Sequence, residues 1–163
     1  ELVLNGKSIS EDDFKKAVWN KSRDNARTPM QWDDSDNAGF TTGKPWFRVS
    51  DRYKEINVKQ ALADKDSIFY YYKKLIELRH KESLLTEGNY QLLLPEDEKI
   101  FAYLRNTENE TWLIAANMSE DTVLTDELKT FVNEKQDIII GNYDRVNLDE
   151  ALRPYEAFMM RIK

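Results

Sequence analysis

The sequence predicts an α+β chain: a helical first half carrying one long irregular loop, then a small antiparallel β-sandwich. Three observations lead there. From Gly88 onward apolar residues recur at every second position, as half-buried strands require, whereas residues 67–81 repeat at helical spacing. The charge changes sign at nearly the same place: residues 1–85 hold 16 Lys and Arg against 14 Asp and Glu, and residues 86–163 hold 8 against 16. Residues 22–46 carry two prolines, two glycines and a cluster of Asp, Asn, Ser and Thr, which exclude a regular element over most of their length. A division into 1–85 and 86–163 follows from the coincidence of the period change and the charge change.

Taken in order, residues 1–21 read as helical. Residues 1–6 resemble the end of one helix, stopped at Asn5-Gly6. Ser10-Glu11-Asp12-Asp13 opens a second, because a serine followed by an acid at the third position approximates a capping box and acids suit the positive end of the helix dipole. Residues 56–63 predict a short helix. Asp66-Ser67 then caps a longer one, with Ile68, Tyr72, Leu75 and Ile76 as its apolar stripe and Lys73, Lys74, Glu77, Arg79 and Lys81 toward water. Strands are predicted over 90–94, 100–105, 111–118, 137–140 and 155–162, the second and third forming a hairpin. Residues 112–116 are apolar without a break, so that strand is expected to be buried on both faces.

Composition removes several classes of function. The net charge of -6, concentrated in the second half, opposes nucleic-acid binding, which needs clustered cations. No run approaches the ~18 apolar residues of a membrane span. The chain has no Cys, which excludes disulfides and thiolate metal sites and fits a reducing compartment, so a cytoplasmic location is expected. Its single His, His80, sits in a basic helix end and reads as a surface residue. With no Gly-rich phosphate loop and no Ser-His-Asp set, neither cofactor nor metal is expected.

Chemistry is left to the long loop. It carries Met30, Trp32, Phe40 and Trp46, side chains seldom placed in a solvated linker, so it is expected to pack on a scaffold and present its charges. Arg23 and Arg27 are the presented groups, unless both simply pair with neighbouring carboxylates. Asp33, Asp34 and Asp36 invite a catalytic dyad or a cation site, although short acids in a turn more often cap backbone amides. Tyr70-Tyr71-Tyr72 suggests a stacking platform, but three successive helical residues face different ways.

The loop motif Ser22-Arg23-Asp24-Asn25-Ala26-Arg27-Thr28-Pro29-Met30-Gln31-Trp32-Asp33, then Ala38-Gly39-Phe40-Thr41, Pro45-Trp46, Tyr53-Lys54-Glu55-Ile56-Asn57-Val58 and the stretch around Tyr70, resembles the C-terminal part of bacterial oligo-1,6-glucosidases. These are exo-acting α-glucosidases of the α-amylase family. Arg153-Pro154-Tyr155-Glu156-Ala157 is similar to that group's closing strand, and Val49-Ser50-Asp51-Arg52-Tyr53 departs from its Val-Asn-Pro-Asn-Tyr in a loop. The resemblance implies that residues 1–85 are the last loop and helix of a (β/α)8 barrel and residues 86–163 the C-terminal β-sandwich. The catalytic carboxylates of the family lie upstream of this loop and have no counterpart here, so no catalytic residue is expected in the chain, and the isolated chain is expected to be inactive. Arg23 is the implied substrate-binding residue, pairing with an upstream aspartate and gripping the terminal glucose. Arg27, Thr28 and Gln31 are expected to hold the loop in place.

Trehalose-6-phosphate hydrolases and sucrose isomerases share similar loop motifs and remain alternatives. So does a non-catalytic module whose sandwich binds carbohydrate or a protein partner. That module would need exposed coplanar aromatics, and most of Tyr90, Tyr103, Tyr143 and Tyr155 are expected in the core. A short α-glucoside is the expected substrate. The barrel-derived part is expected to expose apolar surface and to self-associate.

Overall fold

A computed structural model describes residues 3–4, 6–132 and 137–163. The chain divides into two compact units, Glu1–Tyr70 and Tyr71–Lys163.

The first unit opens with β1 (Val3–Leu4) paired antiparallel to β2 (Lys7–Ser8). The expected helix tail is therefore a hairpin, although Glu1, Leu2 and Asn5 lie outside the described residues. Asn-Gly ends helices, but it is equally a hairpin turn, and Gly6 takes the left-handed φ of 77° that such a turn needs. Helix α1 (Glu11–Lys21) begins where the capping signal lies: the Ser10 hydroxyl accepts from Asp13 N at 3.1 Å and donates to the Asp13 carboxylate at 2.7 Å. The first satisfies one of the backbone amides that a helix start leaves unpaired, and the second holds the two side chains together. Helix α2 (Val58–Ala63) is capped by Asn57, whose side-chain oxygen accepts from Gln60 N at 2.9 Å.

The second unit is built on one five-stranded antiparallel sheet among the described residues. Its strands are β3 (Asn89–Leu93), β4 (Ile100–Asn106), β5 (Thr111–Asn117), β6 (Asp137–Gly141) and β7 (Ala157–Arg161), in the order β3-β4-β5-β7-β6. β5 is central and buried on both faces: Leu113 and Ala115 join one core and Trp112 the other. The first core is closed by Leu128 of helix α5 (Asp126–Lys129) and by Leu148 and Leu152. An isolated antiparallel bridge, Val123 to Leu152, reinforces that second layer. The opposite face is covered by helix α3 (Ile68–Lys81) and helix α4 (Leu84–Glu87) through Tyr71, Leu75, Leu78 and Leu84.

α3 thus buries a different stripe from the expected one. Tyr71 and Leu78 replace Ile68, Tyr72 and Ile76, of which Ile68 is 87% and Tyr72 64% exposed. This helix has two apolar faces, and periodicity alone does not say which one meets the sheet. The Tyr70–Tyr72 run does diverge: the Tyr70 hydroxyl donates to Leu62 O at 3.1 Å, Tyr71 packs on the sheet and Tyr72 reaches solvent.

The closing strand is entered through a tight turn. Glu156 N donates to Arg153 O at 3.0 Å, Pro154 follows Arg153, and Tyr155 takes a left-handed φ of 54°. The Glu156 side chain is only 2% exposed. It receives Arg153 Nε at 2.9 Å, a second guanidinium nitrogen at 2.7 Å and the Arg153 backbone N–H at 2.9 Å. The guanidinium also stacks 4.0 Å from the Tyr143 ring centroid. Desolvation raises the Glu156 pKa, but the side-chain and backbone hydrogen bonds from Arg153 outweigh it and hold the carboxyl below its ordinary value.

Candidate functional site: the loop after α1

The loop is fixed at several points. Ser22 accepts from Asp24 N at 3.3 Å and starts a 3₁₀ turn, Arg23–Ala26. Pro29 is buried. Gln31 O and Trp32 O then accept from Val58 N at 2.9 Å and Lys59 N at 3.0 Å, so the loop satisfies two of the free amides at the start of α2. The Gln31 side-chain amide donates to Ile56 O. Trp32 N and Asp33 N both donate to Ala38 O, at 2.8 and 3.3 Å.

That last contact depends on an unusual backbone. Asn37, Ala38 and Gly39 are all left-handed, with φ of 53°, 59° and 66°. Ala38 is fully buried, and the Asn37 amide ties the bend by donating to Thr41 O and Gly43 O, each at 3.1 Å. Gly39 is required twice over, because a Cβ there would lie 2.8 Å from the Asp33 carboxylate.

The acid cluster is structural. Asp33 accepts from the Ser35 backbone N–H at 2.9 Å and from its hydroxyl, and Asp34 pairs with Lys59 at 2.8 Å. Hydrogen bonds from Ser35 lower the Asp33 pKa, and the hydrogen bond from Lys59 lowers that of Asp34, the reverse of the raised acid a catalytic dyad needs. Among the described residues no three His, Cys, Asp or Glu are grouped to hold a metal ion.

The arginines behave differently. Both Arg23 and Arg27 are exposed, and neither guanidinium forms an ion pair among the described residues. Pairing with neighbouring carboxylates does not explain them. Arg27 closes the turn through its backbone N–H to Asp24 O at 3.2 Å, and its side chain lines a cavity of about 280 Å³ with Asp24, Thr28, Phe40, Trp46 and Phe47. The loop is also held by Gln31, Asn37 and the carbonyls above α2. Phe40 and Trp46, expected to pack on a scaffold, are instead exposed at 48% and 91% beside this cavity, and Phe47 joins them without having been singled out from the sequence. Two adjacent aromatics after a proline, Pro45-Trp46-Phe47, were its signal.

In the second unit, Tyr90, Tyr143 and Tyr155 are exposed rather than in the core, and Tyr103 is half-buried. Tyr90 and Phe101 flank Tyr103 with centroids at 5.2 and 5.5 Å, but the rings are tilted by 37° and 51° and make no flat platform. Among the described residues no helix is long and apolar enough to cross a membrane.

The alpha amylase catalytic domain profile matches residues 3–88, and the maltogenic amylase C-terminal domain profile matches residues 90–136. The chain belongs to the α-amylase family, and within it to the oligo-1,6-glucosidase-like group. It is 50% identical over 157 residues to an oligo-1,6-glucosidase of Heyndrickxia coagulans and 40% identical over 165 residues to a trehalose-6-phosphate hydrolase of Bacillus subtilis, covering 96% of this chain in each case. Among solved structures, a trehalose-6-phosphate hydrolase of Bacillus licheniformis superposes with a TM-score of 0.81 at 38% identity, over 94% of this chain and 29% of that one. An isomaltulose synthase from a Klebsiella species gives 0.80 at 35%, over 95% and 28%. The chain spans 28% of the length of both curated relatives.

Proposed function

We propose that the chain is the C-terminal part of an exo-acting α-glucosidase that removes glucose from the non-reducing ends of short α-linked, mainly α-1,6-linked, glucosides. We assign residues 1–85 to the end of its catalytic barrel and residues 86–163 to its C-terminal β-sandwich. The two family profiles, ending at 88 and starting at 90, support that division. The observation that carries the reading is Arg23. In a family whose barrel sites lie among the loops after the strands, an anchored loop presents a guanidinium that pairs with no carboxylate among the described residues. A guanidinium keeps its charge at every relevant pH and offers donors in a fixed fork, so it can orient a carboxylate and a sugar hydroxyl together. The nucleophile and acid of the retaining mechanism belong to polypeptide upstream of this loop. The absence of Cys supports a cytoplasmic setting.

The test is a graft. This chain replaces the matching 28% of the Heyndrickxia coagulans enzyme, and turnover is measured on isomaltose and on trehalose 6-phosphate. The expected result is hydrolysis of isomaltose by the graft and none by the chain alone. A well-folded graft that cleaves neither sugar overturns the reading, and one that cleaves only trehalose 6-phosphate transfers it to that hydrolase class, which the 40% relative favours.

A further inference from the structure

We propose that the cavity beside Arg27 is a binding site for a neutral pyranose, with Trp46 stacked on the apolar face of the ring and Asp24 and Arg27 bound to its hydroxyls. The inference rests on the α-glucosidase reading for the ligand class and on the cavity itself for the site.

The wall chemistry suits a sugar. Trp46 is 91% exposed, an extreme value for the largest apolar side chain, and Phe47 supports it with centroids 4.7 Å apart and planes tilted by 37°. A pyranose has C–H groups on its faces and hydroxyls around its rim, so it meets an indole face with one surface and polar groups with its edge. Asp24 and Arg27 supply that edge. Both line the cavity, yet no ion pair joins them or ties either to another described residue. A carboxylate only accepts and a guanidinium only donates, so together they satisfy a pair of neighbouring hydroxyls, each of which does both. Their charges cancel, which favours an uncharged ligand over a phosphate or carboxylate, for which a net positive site would be needed. A volume of about 280 Å³ admits one sugar ring and sits at the small end of ligand pockets.

Position supports the assignment as well. Arg27 lies four residues beyond Arg23, and the 3₁₀ turn Arg23–Ala26 with its Arg27 N to Asp24 O bond of 3.2 Å fixes the geometry between them. The site therefore belongs to the same anchored segment as the residue proposed to grip the terminal glucose.

The experiment uses the chain itself. The indole N–H signals of its four tryptophans are followed by nuclear magnetic resonance during titration with methyl α-glucoside and isomaltose, and with sorbitol, an open-chain polyol without a ring face. Trp112, fully buried in the other unit, is the internal reference. The Trp46 signal is expected to move saturably with a Kd on the order of millimolar for both sugars, while Trp112 stays fixed and sorbitol has no effect. Because Trp46 is so exposed, Trp46→Ala is expected to leave the fold intact; with binding to the variants read from saturation-transfer signals of the sugar, since Trp46→Ala lacks the reporting indole, it and Arg27→Ala are each expected to weaken binding roughly tenfold or more. No movement of Trp46 at ~100 mM sugar, far above that expected Kd, overturns the proposal and makes the rings a packing surface for protein. Equal movement with sorbitol, or binding unchanged in Trp46→Ala, overturns it too. The graft's turnover is read independently, so failure of the α-glucosidase reading and failure of this site are told apart.

Discussion

Gly39 carries two constraints at once, a left-handed φ of 66° and an approach to Asp33 that leaves no room for a Cβ. Because Asn37 and Ala38 beside it are left-handed without being glycine, the bend is already strained and has little reserve. Gly39→Ala is expected to destabilise the first unit by about 1–2 kcal/mol and to open the loop to protease, read as a lower urea midpoint and faster cleavage between Trp32 and Thr41. Unchanged cleavage would show that the bend does not hold the loop. Glu156 makes the second test at this scale. Glu156→Gln keeps its size but loses the charge that Arg153 meets, which is expected to cost about 2 kcal/mol. The folded pKa lies below the ordinary 4.5, so the wild-type advantage is complete above about that pH and is lost as the pH falls through the folded value. The gap in urea midpoint between the two proteins should narrow under acid conditions. A gap that stays constant with pH contradicts the assignment.

α3 is the element whose buried face differs from the expected one. Its C-terminal part packs on the sheet through Tyr71, Leu75 and Leu78, while Ile68, Tyr72 and Ile76 form a second stripe in solvent. Leu78→Ala is expected to destabilise the second unit by about 2–3 kcal/mol in urea unfolding. Ile76→Lys is expected to leave stability within about 0.5 kcal/mol and to reduce self-association in sedimentation velocity. If Ile76→Lys unfolds the unit and Leu78→Ala does not, the face assignment is reversed. Other elements were legible for definite reasons. α1 carried its own N-cap serine, and the central strand announced burial on both faces by an unbroken apolar run. Short pieces were not legible. β1 and β2 have two residues each, too few for a period, and α5 has four. In the loop, the motif pointed to Arg23 through resemblance, but the joining of Arg27 with Trp46 across 18 intervening residues is a tertiary fact that no spacing rule contains.

At the scale of the molecule, the chain is two compact units, and the two α-amylase-family profiles match residues 3–88 and 90–136. The second unit has a core on both faces of its sheet. The first spends its polar contacts on holding one loop still, which is the condition for presenting a charge at a fixed place. The central claim is that Arg23 is the group so presented. In the grafted enzyme, kcat/KM for isomaltose is measured with Arg23, Arg23→Lys and Arg23→Ala. The account predicts a loss of roughly 10- to 100-fold for Arg23→Ala, with Arg23→Lys only partly restored, because a point charge replaces a fork. An Arg23→Ala graft with kcat/KM equal to that of the parent would contradict it.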